Sequence, residues 1–202
     1  MSKVSCIVLA AGAGRRMGHD ENKIFIKLGN KSIIQWTLSH IEQVKAVSEV
    51  ILVVADGEAA YMKQHIASLG LSKSIKIITG GKERQDSVYA GLQAVSDDMD
   101  IVLVHDGARP LAKPELFKSV IEGAKTHGAV TIGVPSTDTI KRVDIDGQVL
   151  ETLNRNELMN IQTPQGFLKN IFKEAQETAK RDAYLGTDDV SLVEYIGKDV
   201  YI

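Results

Sequence analysis

Five short apolar runs constrain this chain more than any other feature: residues 4–9, 49–54, 75–78, 100–104 and 129–134. Each is too short for a core helix and rich in Val and Ile, so each reads as a strand, the first two of them buried. Helical stripes separate them. Residues 32–44 carry Ile34, Leu38 and Ile41, with Ile33, Thr37 and Val44 beside them and Ser32 placed as an N-cap. Residues 57–69 form a second stripe closed by Gly70, residues 82–95 a third with Val88, Leu92 and Val95, and residues 114–128 a fourth opened by Pro114. Strand and helix in alternation predict the α/β class: a single-domain, Rossmann-like, doubly wound and mostly parallel sheet with helices on both faces. Aromatic residues are only 5%, which suits aliphatic strands under helices. At 202 residues the chain is most simply one domain, 1–202.

The pattern changes after the fifth run. Residues 138–143 and 149–153 alternate about a turn at Asp144 to Gly147, a hairpin with no helical crossover between its strands. This β-arm, about 137–156, has too little core to stand alone, so a partner subunit is its expected support. The alternative is a hairpin lying on its own domain. Gln162-Thr163-Pro164-Gln165 returns the chain to the sheet, residues 168–181 read as a helix, and Gly186-Thr187-Asp188-Asp189 opens a last one over 190–195. Capping is the simplest role for Asp188 and Asp189.

A formal charge of −2 gives no global attraction to nucleic acid or membrane, so any anion binding has to be local. The single cysteine, Cys6, lies inside an apolar run and builds neither disulfide nor zinc site. The N-terminus lacks a signal-peptide pattern, and no stretch approaches the ~18 apolar residues of a membrane helix. These features predict a cytoplasmic protein.

The first run empties into a loop where Gly12, Gly14 and Gly18 alternate with small and basic residues, Arg15 and Arg16 among them, before Lys23. Strand, glycines and cations in that order build a phosphate cradle, with accessible backbone N–H groups and positive side chains over the anion. Gly12, Gly14 and Gly18 space as G-x-G-x-x-x-G, which fails the dinucleotide fingerprint, and no G-x-x-x-x-G-K-[ST] run exists. A dinucleotide-dependent oxidoreductase is thereby disfavoured; an ordinary surface turn is the plain alternative. Two further strand ends carry chemistry. Gly81 lets a base approach the backbone, and Ser87 offers a hydroxyl to a pyrimidine edge, although a solvated first helical turn accounts for them equally well. Asp106 follows the fourth strand, where a carboxylate beside a phosphate cradle can meet Mg²⁺, and Arg109 can hold a phosphate bidentately. His105 reads as a structural strand-end residue.

Leu9-Ala10-Ala11-Gly12-x-Gly14-x-Arg16-Met17-Gly18 followed by Lys23 resembles the signature of the nucleotidyltransferases that activate sugars and polyols. It is most similar to the 2-C-methyl-D-erythritol 4-phosphate cytidylyltransferases. The match repeats at Gly80-Gly81-x-x-Arg84-x-x-Ser87-Val88, at Val104-His105-Asp106-x-Ala108-Arg109-Pro110, and at Asp138-Thr139-x-Lys141. It continues at Arg155, Gln162-Thr163-Pro164-Gln165 and Thr187-Asp188, covering nearly the whole chain.

The resemblance implies transfer of CMP from CTP to 2-C-methyl-D-erythritol 4-phosphate, giving 4-diphosphocytidyl-2-C-methyl-D-erythritol and pyrophosphate. It assigns Arg16 and Lys23 to catalysis, and Leu9, Ala10, Ala11, Gly12, Gly14, Gly81, Lys82 and Ser87 to CTP. Asp106, Arg109, Thr139, Arg155 and Thr187 fall to the polyol phosphate. Mg²⁺, or another divalent cation, is the implied cofactor with Asp106 its ligand. The β-arm is expected to clasp a second subunit, so that Thr139 and Arg155 reach the neighbour's site in a homodimer. Arg15 and Lys27 fall outside the family pattern and are read as solvated charges. The nearest rival is a ribitol 5-phosphate cytidylyltransferase; Lys141-Arg142 and Thr187-Asp188 with Ser191 look more like the methylerythritol enzymes.

Two departures carry expectations of their own. Asn22 stands where proline commonly precedes the lysine, which predicts a looser loop. The chain ends at Ile202, before an Asn-Ile-Lys segment and helix that the family pattern continues into, so the family's further lysine is not in it. A shortened chain, or a nucleotide-binding module that transfers poorly, is the expectation that follows.

Overall fold

The computed structural model describes residues 2–12 and 22–202. Strands β1 (Val4–Leu9), β4 (Val47–Val54), β5 (Ser74–Thr79), β6 (Ile101–Asp106), β7 (Ala129–Pro135) and β10 (Met159–Leu168) form one sheet in the order β5-β4-β1-β6-β10-β7. β1, β4, β5 and β6 pair in parallel, and β10 runs antiparallel between β6 and β7. Helices α1 (Ile33–Glu42), α2 (Ala59–Ile66), α3 (Arg84–Ala94), α4 (Pro114–His127), α5 (Lys169–Arg181) and α6 (Asp189–Tyr195) supply the layers. Two small hairpins stand apart from the sheet: β2 (Lys27–Leu28) with β3 (Lys31–Ser32), and β8 (Lys141–Val143) with β9 (Val149–Thr152).

Strand alternation explains why the runs are apolar throughout. In β1, Cys6 and Val8 join the core cluster of α1, α2 and α4, built on Ile34, Leu38, Met62 and Phe117. Ile7 joins the opposite cluster of α3, α5 and α6, with Val88, Leu92, Phe172 and Leu192. β4 divides likewise, Leu52 and Val54 to one side and Ile51 and Val53 to the other. A side-chain period of two under helices on both faces demands apolar residues at every position. Cys6 is completely buried, and burial pushes its thiol up to about 12, which makes it inert.

The helices begin where their caps are. Ser32 accepts from the Gln35 N–H while the Gln35 side chain accepts from the Ser32 N–H, a reciprocal capping box. Pro114 opens α4, and Gly128, at φ +87°, closes it.

β10 is the main departure from the sequence expectation. A four-residue return to the sheet is in fact a ten-residue strand, the only antiparallel member of the large sheet among the described residues. Its first half is mostly exposed and alternates Met159 and Ile161 with Asn160 and Gln162, so no buried apolar run marks it. Pro164 sits where the register with β7 shifts between Gln162 and Gly166, the kind of irregularity that lets a strand accommodate a residue without an N–H. The hairpin of β8 and β9 forms as expected. Asp144 accepts from the N–H groups of Asp146 and Gln148, and Gly147 adopts φ +85° at the turn.

Candidate active site

Parallel strands put their carboxyl ends on one edge, and the predicted site residues of β1, β5 and β6 collect there. Leu9 closes β1, in register with Val53 on one side and Asp106 on the other. The Leu9 carbonyl accepts from the Gly107 N–H at 2.8 Å, and a Cβ on Gly107 would meet that same oxygen at 2.8 Å. Glycine is therefore needed where β1 and β6 diverge. The Ala10 N–H donates to the Val53 carbonyl at 2.7 Å, extending the sheet by one rung toward the cradle. Ala11 is half-buried and Gly12 exposed, with open space around the position a Gly12 Cβ would take. Gly14, Arg15, Arg16 and Gly18 lie outside the described residues.

Lys23 is held by its neighbour. Asn22 is buried and its Nδ2 donates to the Ala10 carbonyl at 2.9 Å and to Glu58 Oε2 at 3.2 Å. Its Oδ1 accepts from the Ile24 N–H at 3.4 Å, capping the short 3-10 turn Lys23–Phe25, and its carbonyl accepts from the Phe25 N–H at 3.0 Å. The loop expected to be looser for want of a proline lies, from residue 13 to residue 21, outside the described residues. An amide that bonds to β1, α2 and its own turn anchors Lys23 by polar contacts where a proline would restrict φ. Lys23 itself is half-buried and makes no ion pair among the described residues, so its ammonium is available to an anion. Lys27 is exposed, as expected.

The second cluster follows β5. Gly80 and Gly81 pass so close to α3 that a Cβ would meet Ser87 Oγ at 2.6 Å and Asp86 Cβ at 2.3 Å respectively. Close packing is thus one sufficient reason for both glycines. Ser87 is buried; its hydroxyl accepts from the Gly81 N–H at 3.1 Å and donates to the Glu83 carbonyl at 3.2 Å. It shapes the loop that presents Gly81 and the exposed Lys82.

The third cluster is a chain of charge and hydrogen bonds. Asp106 Oδ2 accepts from Arg109 Nε at 3.0 Å, and Asp106 Oδ1 lies 3.5 Å from the Arg84 guanidinium. Arg84 donates to Asp189 at 2.7 Å. Asp189 is only 1% exposed, and burial pushes its carboxyl above the usual carboxylate range, with Arg84 pulling it back and Asp188 and Asp106 adding to the rise. Gln165, fully buried, donates to Asp188 at 2.9 Å and accepts from the N–H groups of Asp189 and Val190, both at 3.2 Å. Thr163 Oγ1 accepts from the Asp106 N–H at 3.0 Å and lies 3.0 Å from His105 Nδ1. His105 is entirely buried, edge-on to Phe117, and burial pushes its pKa down to about 4, so the ring is neutral.

Capping therefore describes Asp188, whose Oδ1 accepts from the Ser191 N–H at 3.0 Å, but not the whole of Asp189. Asp189 is the buried counter-charge of Arg84. Sequence reading missed this pair because the residues lie 105 positions apart; the one available signal was an arginine recurring within a motif. The Thr163 and Gln165 roles were missed because their partners come from β6 and α6.

Asp106 offers one carboxylate toward a divalent ion, and no group of three or more His, Cys, Asp or Glu is placed to hold a metal among the described residues. That fits Mg²⁺ carried on a polyphosphate, which needs one or two carboxylates and completes its shell with phosphate oxygens and water.

The remaining predicted residues lie apart. Thr187 is exposed just before the Asp188 cap. Thr139 and Arg155 are exposed beside the arm, and the Arg155 guanidinium donates to the Thr137 carbonyl at 3.4 Å. No hydrogen bond or ion pair among the described residues joins either of them to Asp106, Arg109 or Thr187.

The family model IspD: 2-C-methyl-D-erythritol 4-phosphate cytidylyltransferase matches residues 4–202. The chain belongs to that family. It is 43% identical over 203 residues to a 2-C-methyl-D-erythritol 4-phosphate cytidylyltransferase of Pelotomaculum thermopropionicum, covering all of this chain and 85% of the relative. One from Alkaliphilus metalliredigens is 46% identical over 202 residues, covering 100% and 84%. Among solved structures, the 4-diphosphocytidyl-2C-methyl-D-erythritol synthase of Anaerococcus prevotii superposes with a TM-score of 0.89 at 31% identity, over 100% of this chain and 88% of that one. The Thermus thermophilus cytidylyltransferase gives 0.78 at 29% identity, over 99% and 88%.

Family membership makes the chain a nucleotidyltransferase. Leu9 to Gly12, Lys23 and the Gly81 loop follow β1 and β5, Asp106 and Arg109 follow β6, and Arg84 reaches Asp106 from α3. No helix among the described residues is long and apolar enough to cross a membrane.

Proposed function

We propose that this chain transfers CMP from CTP to 2-C-methyl-D-erythritol 4-phosphate and releases pyrophosphate. The observation that carries the reading is the family match over residues 4–202, with the motif residues of separate segments gathered on the carboxyl edge of one sheet. The nucleophile is a phosphate oxygen, already ionised at neutral pH, so the site needs no general base. The neutral, enclosed His105 is consistent with that. What the reaction demands is alignment of two anions and stabilisation of charge on the α-phosphoryl oxygens.

Lys23, anchored by Asn22, and Arg16 are the cations assigned to that charge. The Gly81 loop, with Lys82 and Ser87, receives the base; Gly12, Gly14 and the Leu9–Ala11 backbone receive ribose and phosphates. Asp106 would hold Mg²⁺, which when bound offsets polyphosphate charge. Arg109 and Thr187 orient the acceptor phosphate, and Arg84 keeps Asp106 in place from the side of α3. A second copy of the chain is proposed to bring Thr139 and Arg155 to this site. Support comes from apolar residues exposed on the arm, Val143, Ile145, Val149 and Leu150. A cytoplasmic setting is proposed from the lone, buried thiol.

The test is pyrophosphate release with CTP and two acceptors, 2-C-methyl-D-erythritol 4-phosphate and ribitol 5-phosphate. The first should be turned over and the second not. Lys23→Ala and Arg16→Ala should each lower turnover by ~10² or more, the scale for losing one preorganised donor to a developing anion. Near-normal turnover in both variants would overturn the assignment.

A further inference from the structure

Position 165 is a core position filled by an amide. Gln165 lies on β10 in register with Val104 of β6, two residues before the completely buried Phe167, and is itself 1% exposed. A leucine or methionine would fill such a place without giving up any hydrogen bond to water, so an amide belongs there only if its bonding capacity is met. It is met. Oε1 accepts from the N–H groups of Asp189 and Val190, both at 3.2 Å, while Nε2 donates to Asp188 Oδ2 at 2.9 Å and reaches the Gln162 carbonyl at 3.5 Å. All but the last of these bonds go to the residues that open α6.

Those residues directly follow Thr187, which is exposed but stands on backbone fastened on both sides. Before it, the Gly186 N–H donates to Gln85 Oε1 at 3.0 Å, and the Tyr184 carbonyl accepts from Gln85 Nε2 at 2.9 Å. After it, Asp188 is held by two donors, the Ser191 N–H on Oδ1 at 3.0 Å and the Gln165 amide on Oδ2. Thr163, also on β10, accepts from the Asp106 N–H at 3.0 Å. One short stretch of β10 is therefore bonded both to the Asp106 backbone and to the cap beside Thr187.

We propose that Gln165 is a positioning residue for the acceptor, holding Thr187 through the Asp188 cap so that the polyol phosphate is bound in alignment. This role rests on the reading of Asp106, Arg109 and Thr187 as the residues that meet the acceptor. A hydroxyl fixed before its ligand arrives has less freedom to lose on binding, which favours affinity and correct alignment. CTP is spared, because the Gly81 loop is fastened within α3 itself: Ser87 Oγ accepts from the Gly81 N–H at 3.1 Å, and Asp86 from the Glu83 N–H at 3.1 Å.

The test is steady-state pyrophosphate release, with the melting temperature of every variant measured beside it. Gln165→Glu keeps the shape of the side chain but sets an oxygen against Asp188 Oδ2. Asp188→Asn preserves a good N-cap and removes the acceptor that Nε2 uses, so it carries the test by itself where a buried glutamate prevents folding. Each should raise the KM for the polyol phosphate about tenfold or more, the scale of one hydrogen bond to a charged group, and move that for CTP less than about twofold. The double variant exchanges donor and acceptor at unchanged net charge, and should recover most of the loss. An amide that served only the fold would shift the melting temperature and leave both KM values alone. That outcome, an equal rise in both KM values, or no recovery in a folded double variant would overturn the role of Gln165 while leaving the transfer reading intact. A wild-type chain that releases no pyrophosphate with either 2-C-methyl-D-erythritol 4-phosphate or ribitol 5-phosphate would overturn the two together.

Discussion

Arg84→Met isolates the buried carboxylate of Asp189. Asp189 has a side chain only 2% exposed, and its described cationic partner is Arg84 at 2.7 Å. Taking away one member of such a pair costs roughly 3–5 kcal/mol, because the charge left behind is neither solvated nor compensated. Arg84 is 39% exposed, so water partly screens the pair and the low end, ~3 kcal/mol, applies. For a chain of this length that corresponds to a melting temperature lower by about 6–12 °C. The pH dependence carries the diagnosis. The Asp189 carboxyl is already raised by burial, and losing Arg84 raises it further. A carboxyl with a raised folded pKa contributes its stability below the unfolded value of about 3.9 and loses it as pH rises through the folded value. The variant's deficit is therefore largest at neutral and alkaline pH and shrinks on acidification. Asp189→Asn removes the stranded charge, so the double variant should be more stable than Arg84→Met alone. Urea melts of the four proteins at about pH 5 and about pH 8 measure this. A deficit under about 1 kcal/mol, one independent of pH, or no rescue by Asp189→Asn would refute the reasoning.

Asn22→Ala should lower turnover by about tenfold while costing only ~1–2 kcal/mol of stability. Asn22→Pro, which suits the observed φ of −61°, should retain more turnover than the alanine variant; equal loss in both would sink the anchoring role. His105→Leu should flatten the acid side of the stability profile. The neutral ring's contribution is present above about pH 6.5 and lost as pH falls through about 4, so parallel profiles for variant and wild type across that window would argue against it. Arg155→Ala should raise the KM for the polyol phosphate and spare that for CTP, and unchanged KM values for both would remove the arm from the site.

Much of the molecule was written locally. The β1, β4, β5, β6 and β7 runs, the Ser32 cap, Pro114 and Gly128 all act within a few residues of themselves, and burial on both faces makes the central strands β1, β4 and β6 mostly apolar, while β5 at the edge is half-exposed. The motif order that identified the family is likewise linear. β10 was only glimpsed, because its first half is mostly exposed and forms no apolar run, and its pairing with β6 and β7 is made in space.

The amino-acid order by itself determined five of the six strands of the large sheet, the helices that cover them and the residue types expected to meet a nucleotide, since hydrophobic period, caps and glycine spacing are properties of neighbouring residues. Only the tertiary structure decided what holds those residues still. Asn22 against Ala10 and Glu58, Arg84 against Asp189, and Thr163 between His105 and Asp106 join segments up to 105 positions apart. Polar groups removed from water must find partners in space, and those partners are chosen by the packing of strands and helices rather than by proximity along the chain.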